Sequence, residues 1–353
     1  GAGIRCDTHE DGILVSLKCT QTDAERLLPI LGWMLQQPHL NQAQIALEKE
    51  LSLQALQRQQ EDPFQRAFDG WRQLAYGQGP YGHDPLGVPG DLESLHHDHL
   101  IALADRLNDG GSVLALSGTL PEGIQTILQS YEESGRPEKT SHSPDWTADP
   151  GQPDSSLTLN PVETEQVVMM LGQATLPHGH PDDLALRVLH AHLGSGMSSL
   201  LFRRLREDHG VAYDVGVHHP ARQHSAPFVM HASTGVERAQ LSLELLMKSW
   251  EELLDTVIAK RDLDLAMAKF RGQLAHASQT TGQRAERRAQ LRGLGLPDDH
   301  DRRCLDQLDN LTGVDLRTAA RQHLKKPTLS LCGPSSTLNR LESVWGNGPF
   351  PST

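Results

Sequence analysis

Several features that mark other protein classes are scarce or absent in this sequence of 353 residues. Aromatic residues make up only 4% of it, so its cores must be built mainly from Leu, Val, Ile, Ala and Met. No apolar run approaches the roughly 18 residues that a membrane-spanning helix needs. The first residues also lack the basic, apolar and small-residue pattern of a secretory signal peptide. We therefore expect a cytoplasmic protein without a membrane span.

Positive charge is also in deficit. Lys and Arg number 32 against 45 Asp and Glu, a formal net charge of −13. Nucleic acid backbones are bound by clustered Lys and Arg, so this balance argues against a nucleic acid partner. The few cysteines have no CxxC or other ligand spacing and are expected to be reduced thiols. An exported protein with Cys6 paired to Cys19 across two strands is the alternative.

The first half of the sequence predicts a strand, several helices and a closing strand. Residues 13–19, ILVSLKC, alternate in polarity as a half-buried strand does. A helix follows, with Thr22 as its N-cap and Glu25 completing a capping box. The segment SVLALSG at residues 112–118 predicts the closing strand.

The second half repeats this order of elements. Strands are predicted at LTLN, QVVMMLGQA, YDVGVHH and FVMHAS, with helices between and after them. The chain then ends on a strand, TLSLCG at residues 328–333. Each half thus closes on a strand followed by Gly, and this indicates two copies of one domain.

The predicted fold class is α+β, with two similar domains that each consist of a mainly antiparallel sheet backed by helices on one face. Residues 134–156 are rich in Pro, Ser and charge and predict a linker region. We place a first domain, truncated at its N-terminus, at residues 1–140. The linker proper is placed at residues 141–156 and the second domain at residues 157–353.

Several segments resemble the pitrilysin/insulinase family of zinc peptidases, which includes the mitochondrial processing peptidases. EKELSLQALQRQQEDPF, beginning at Glu48, and AYGQGPYGHDPLG resemble a stretch of the family's first domain. DDLALRVLHAHLGSGMSSLLFRRLREDHGVAYDVG resembles its second-domain pattern of G-x-G-[ML]-x-S-x-L, LRE and G-[LV]-[AG]-Y. TGVDLRTAARQHLKKPTLSLCGP resembles the family's closing helix and strand.

The resemblance implies a two-lobed assembly that closes around an unfolded peptide, held as an added strand on a sheet edge. One lobe holds zinc through H-x-x-E-H and a Glu on a later helix, which leaves one position for a reactive water. Neither H-x-x-E-H nor H-E-x-x-H occurs in this sequence. The family's later Glu falls on Ala55, counted seven residues from Glu48 or eight back from Pro63. A methyl group cannot bind zinc, so we expect no zinc here and zinc in a catalytic partner.

The resemblance also implies a role for Arg206 and Tyr213, which keep the family spacing L-R-x6-Y. In the family these side chains come from the lobe that faces the zinc and contact the substrate backbone and the developing oxyanion. A glycine-rich turn precedes them and is the predicted substrate-binding segment. Gly194 and Gly196 allow positive φ and the close approach of another chain, and Ser198 is a candidate cap for the helix that carries Arg206. The residues assigned to substrate binding are Gly194, Ser195, Gly196 and Ser198.

We therefore expect a non-catalytic lobe or subunit of a metallopeptidase assembly, whose enzymatic role depends on a partner. That partner is a lobe bearing H-x-x-E-H, or a homodimer mate, and the ligand is unfolded peptide. Two alternatives stay open. One is an active zinc metalloendopeptidase whose H-x-x-E-H precedes residue 1, and the other is a scaffold or peptide-binding protein without a peptidase role.

Overall fold

The computed structural model describes residues 1–109, 112–126, 129 and 155–350. They form two compact units, each assembled from separate stretches of sequence. The first unit takes its described residues from 1–56, 85–147 and 275–298, and the second takes them from 57–84, 148–274 and 299–353.

The elements confirm the α+β class. The strands are β1 (Gly3–His9), β2 (Gly12–Lys18), β3 (Leu157–Pro161), β4 (Gln166–Ala174), β5 (Asp214–His218), β6 (Pro227–Gly235) and β7 (Thr328–Gly333). The helices of the first half are α1 (Gln21–Gln36), α2 (Gln42–Glu61), α3 (Pro63–Tyr76), α4 (Pro89–Ser94) and α5 (His97–Asp109). Those of the second half are α6 (Asp183–Gly194), α7 (Ala239–Asp255), α8 (Lys260–His276), α9 (Thr281–Gly293), α10 (His300–Leu308), α11 (Gly313–His323) and α12 (Ser335–Gly346). A π-helix spans Phe202–Asp208, and a short 3-10 turn spans Val236–Arg238.

Helix α1 begins earlier than the sequence predicts. The Thr20 side chain accepts a hydrogen bond from the backbone N–H of Asp23 at 3.2 Å and forms the N-cap. The predicted capping box of Thr22 and Glu25 is therefore wrong. Thr20 also precedes an acidic residue, Asp23, by three positions. The sequence therefore contains two overlapping cap patterns, and the structure uses the earlier one.

Two predicted strand features in the first unit are also wrong. Residues 112–117 are not part of a strand, and Leu114 is 53% exposed there. An alternating pattern favours a strand, but a strand forms only where a neighbouring strand is available for hydrogen bonding. In the β1–β2 hairpin Cys6 lies opposite Val15, while Cys19 follows the end of β2, so the two thiols do not face each other.

The second unit contains a mixed five-stranded sheet in the order β3-β7-β4-β6-β5. The β3–β7 pair is parallel, and the other neighbouring pairs are antiparallel. Within the described residues β5 is an edge strand of this sheet. Helix α12 follows β7 and buries Leu338, Leu341 and Trp345, so the prediction that the chain ends on β7 is wrong.

Helices cover both faces of this sheet, which corrects the prediction of a single covered face. Along β4, Val167, Met169 and Leu171 belong to a large core shared with α6, α7, α11 and α12. Val168 and Met170 point to the other face, where they pack with Trp71 of α3. Strand β4 is an unbroken apolar run because both of its faces are buried.

The compact units do not follow the predicted order along the chain. Helix α3, from the predicted first domain, packs on the five-stranded sheet in the second unit. Helix α9, from the predicted second domain, belongs to the first unit, where Glu286 pairs with Arg5 at 3.3 Å. The predicted linker at residues 141–156 lies almost wholly outside the described residues, so the domain boundaries stay a prediction.

Candidate functional site

Arg206 lies on the π-helix Phe202–Asp208, which is fixed to the second unit on one side. Leu205 is fully buried, and Arg204 donates hydrogen bonds to Ser249 at 2.8 Å and Glu252 at 2.7 Å on α7. Arg206 itself is exposed, with its guanidinium 4.8 Å from the centre of the Phe202 ring. The segment therefore holds Arg204 against the fold and presents Arg206 to solvent.

A tight turn connects this helix to Tyr213. Gly210 adopts φ of +58°, which a residue with a Cβ rarely takes, and Arg238 donates to its carbonyl at 2.6 Å. Tyr213 immediately precedes β5, and its backbone N–H donates to Ser233 at 2.8 Å. The Tyr213 side chain is 64% exposed. Arg206 therefore lies on a helix and Tyr213 directly before a strand, with the Gly210 turn between them.

Tyr213 lines an open cavity of about 510 Å³ at one end of the sheet. The other lining residues come from the segment before β4 and from the end of β6 and the turn after it: Thr164, Glu165, Gln166, Gly235, Val236 and Glu237. Two carboxylates thus border the cavity beside the phenol. Arg206 is not among the lining residues, so the structure places Tyr213 in this cavity and Arg206 beyond the turn.

The predicted substrate-binding turn approaches β5 at a different point, near Val217. A Cβ on Gly194 would come within 2.8 Å of the backbone N of Val217, so close approach, and not positive φ, explains this glycine. Gly196 does adopt positive φ, at +74°. The Ser195 hydroxyl accepts a hydrogen bond from Gln273 at 2.8 Å.

The predicted cap by Ser198 is wrong, because the N-cap position of the π-helix is Leu201. The turn also lies apart from the phenol. Val217 is four residues along the strand from Tyr213, roughly 13 Å at the usual rise per residue. The structure therefore does not bring the predicted substrate-binding turn together with the Tyr213 cavity.

A buried ionic cluster at the start of α6 was not predicted as a unit. Asp183 accepts from Nδ1 of His178 at 2.7 Å, the N–H of Gly179 at 3.2 Å and Nε of Arg187 at 2.8 Å. Nε2 of His219 lies 3.7 Å from its other oxygen. The signal in the sequence is LPHGHPDD, in which histidines precede two acidic residues at a helix start.

Burial controls the protonation of the surrounding groups. Burial alone would raise the pKa of Asp183, but contacts with His178 and His219 and the charge of Arg187 hold that pKa well below its usual range. Burial, aided by the charges of His219 and Arg187, lowers the pKa of His190 to about 4. The second unit therefore keeps a carboxylate charged and a nearby imidazole neutral at pH 7.

The residues present do not fit a zinc site. Ala55 lies on α2 and offers no donor atom, while Glu48 and Glu50 are exposed on the same helix. Within the described ranges, no three His, Cys, Asp or Glu side chains are placed to hold a metal ion. We therefore derive no catalytic step through zinc in this chain.

In the same ranges, no helix has both the length and the apolar character to cross a bilayer.

Comparison with protein families matches residues 108–270 to the peptidase M16 inactive domain. The similarity to this domain covers a little under half of the chain. The matched region contains the glycine-rich turn, the π-helix and Tyr213. The predicted relationship to the pitrilysin/insulinase zinc peptidases is thereby confirmed.

Relatives and solved structures agree with this assignment. The chain is 24% identical over 292 residues to the uncharacterized zinc protease YmxG of Bacillus subtilis, and the alignment covers 81% of this chain and 69% of YmxG. Its fold is similar to the peptidase M16 inactive domain of Pseudomonas fluorescens, with a TM-score of 0.78, 19% identity and coverage of 95% and 81%. A protease of Helicobacter pylori gives a TM-score of 0.79, 16% identity and coverage of 95% and 82%.

Proposed function

We propose that this M16 chain is the non-catalytic lobe of a metallopeptidase assembly, which binds unfolded peptide and supplies Arg206 and Tyr213 to the zinc site of a partner. The observation that carries the proposal is the presentation of these two side chains. Both are exposed, and they flank a turn in which Gly210 adopts positive φ and accepts a hydrogen bond from Arg238. Neither side chain is needed to fill a core.

The chemistry of the two groups suits this role. A guanidinium and a phenol are hydrogen-bond donors, and such donors stabilise the negative charge that develops on a carbonyl oxygen under attack. Their backbones are anchored through Leu205, Arg204 and the bond between Tyr213 and Ser233. Anchoring matters because donors that are already oriented lose little freedom when the transition state forms.

The Tyr213 cavity supports binding of peptide next to the Tyr213 phenol. It is open to solvent, and Glu165 and Glu237 border it. With a net charge of −13, the chain favours peptides that carry Lys or Arg over acidic ones. The exposed edge of β5 adjoins the cavity and is the proposed place for the peptide backbone to add as a strand.

The proposed partner is an M16 chain that bears H-x-x-E-H. A homodimer mate would share Ala55 and would bring no zinc ligand to that position, so cleavage by a homodimer is not expected. The assembly is proposed to be cytoplasmic and to bind no nucleic acid.

Reconstitution tests this proposal. The chain is mixed with an H-x-x-E-H-bearing M16 chain from the same genome, and the mixture is analysed by size-exclusion chromatography and by cleavage of an unfolded basic peptide. We expect a complex that cleaves, while neither chain alone cleaves at a comparable rate. Cleavage by this chain alone would favour the active-peptidase alternative. Peptide binding without cleavage in any mixture would favour the scaffold alternative.

A further inference from the structure

Helix α10 places a thiol next to an imidazole. Sγ of Cys304 lies 3.5 Å from Nε2 of His300, one helical turn earlier. Cys304 is only partly buried, where it packs against the edge of the main core. A thiol at this distance from an imidazole has a base for its proton and a cation to stabilise the thiolate.

The imidazole is itself supported by the buried ionic cluster. The His300 ring contacts the His178 ring edge-to-face, with centroids 4.8 Å apart. His178 is in turn held by Asp183 at 2.7 Å. The Asp183 carboxylate thus holds the His178 ring, and the His300 ring packs against it. The nearby charges of Arg302 and Arg303 are paired with Asp299 at 3.0 and 2.9 Å.

The other three cysteines provide internal comparisons. Cys6 is exposed on β1 and Cys19 is partly exposed after β2. Cys332 is fully buried in β7, and burial raises the pKa of its thiol. Cys304 differs from these three in that its sulfur lies within hydrogen-bond distance of a histidine ring.

We propose that Cys304 is a reactive thiol that undergoes exchange with low-molecular-weight disulfides, with His300 as its base. His300 takes the thiol proton, and the Cys304 sulfur attacks one sulfur of the disulfide. A new S–S bond forms at Cys304 while the original S–S bond breaks. The departing sulfur takes the proton back from His300 and leaves as a thiol, so Cys304 is oxidised and one half of the small disulfide is reduced. The site is independent of the proposed peptidase role.

Alkylation of the full chain with iodoacetamide, mapped by mass spectrometry, tests the proposal at each cysteine. The rate at pH 9.5 measures how well the reagent reaches each thiol. The rate at pH 6.5 divided by the rate at pH 9.5 measures how strongly the thiolate is stabilised. An ordinary thiol with a pKa of about 8.5 gives a ratio of about 0.01. We expect the ratio at Cys304 to exceed the ratio at Cys6 by at least about tenfold.

The variant His300→Gln separates activation from access. It should return the ratio at Cys304 to that of Cys6 and leave the rate at pH 9.5 unchanged. With oxidised glutathione at pH 6.5, the mixed disulfide should form first at Cys304, and formation should slow in the variant. The proposal is overturned if Cys304 is unreactive at pH 9.5, if its ratio equals that of Cys6, or if His300→Gln leaves the ratio unchanged.

Discussion

The carboxylate of Asp183 and the Nδ1 atom of His178 lie 2.7 Å apart in the interior of the second unit. Arg187 donates to the same carboxylate oxygen from the next turn of α6. The side chains of Asp183 and His178 are 4% and 2% exposed, so little water is available to replace either partner. The start of α6 therefore depends on a charge that is compensated within the fold.

Replacement of Asp183 should be costly, because it leaves Arg187 without its buried partner. We expect Asp183→Asn to lower the free energy of unfolding by about 3–5 kcal/mol, measured by urea denaturation at pH 7.5. The neighbouring residue provides a matched control. Asp182 pairs with His323 at 2.8 Å but is 37% exposed, so Asp182→Asn should cost about 1 kcal/mol or less. Equal losses in both variants would contradict the account of a buried charge cluster.

Stability should fall as the solution becomes acidic. Burial lowers the pKa of His190 to about 4, of His192 to about 4 and of His218 to about 3. In the unfolded chain these groups titrate near pH 6.5, so below that pH the unfolded state binds more protons than the folded state. Each neutral histidine should then reduce the free energy of unfolding by about 2 kcal/mol between pH 7.5 and pH 5.

A single variant checks this pH dependence. His190 donates through Nε2 to the Val217 carbonyl at 3.2 Å, and Gln can keep such a bond without titrating. Urea denaturation at pH 7.5 and pH 5 should show a smaller loss in His190→Gln than in the parent chain. An identical loss would mean that His190 is not neutral in the folded state.

The close approach at Gly194 gives a prediction about the glycine-rich turn. A methyl group there would meet the backbone N of Val217 at 2.8 Å, so the turn or β5 must shift. We expect Gly194→Ala to lower the free energy of unfolding by about 1–3 kcal/mol. In Gly272→Ala, on α8, the added methyl group meets no atom within 4 Å, and a gain of about 0.5–1 kcal/mol is expected. Thermal or urea unfolding that ranks the two variants in the opposite order would refute this explanation.

Metal content is predicted from Ala55. The purified chain, without a partner, should contain no stoichiometric zinc, because the family ligand position offers only a methyl group. Elemental analysis after extensive dialysis checks this. About one tightly held zinc per chain would contradict the expectation and favour the alternative of an active peptidase.

Local sequence signals predicted much of the second unit. Strands β4 and β7 were predicted with the observed bounds, because each is a compact apolar run flanked by polar residues or Gly. The covering of both sheet faces was missed, since α3 comes from a distant part of the sequence and amphipathicity alone does not say which sheet a helix will cover. The strand at residues 112–118 was wrong because a strand also needs a pairing neighbour, and local alternation does not supply one.

The candidate site was predictable only in part. Arg206 and Tyr213 were selected by a motif spacing, which extends over only a few residues of sequence. The cluster around Asp183 was missed because it joins His219, 36 positions away, through the tertiary fold. The separation of the glycine-rich turn from the Tyr213 cavity likewise depends on where each segment meets β5.

The central claim is that Arg206 and Tyr213 act on a substrate bound at a partner's zinc site, and steady-state kinetics of the assembled pair test it most directly. In Arg206→Ala and in Tyr213→Phe, kcat for peptide cleavage should fall by about 10²-fold or more, the scale seen when an oxyanion donor is removed. The free energy of unfolding and the Kd for the partner should stay within error of the parent chain. Arg302→Ala removes a 72% exposed arginine on α10 and should leave kcat unchanged. An assembled complex of the Arg206→Ala, Tyr213→Phe double variant that cleaves at the parental rate would contradict the claim.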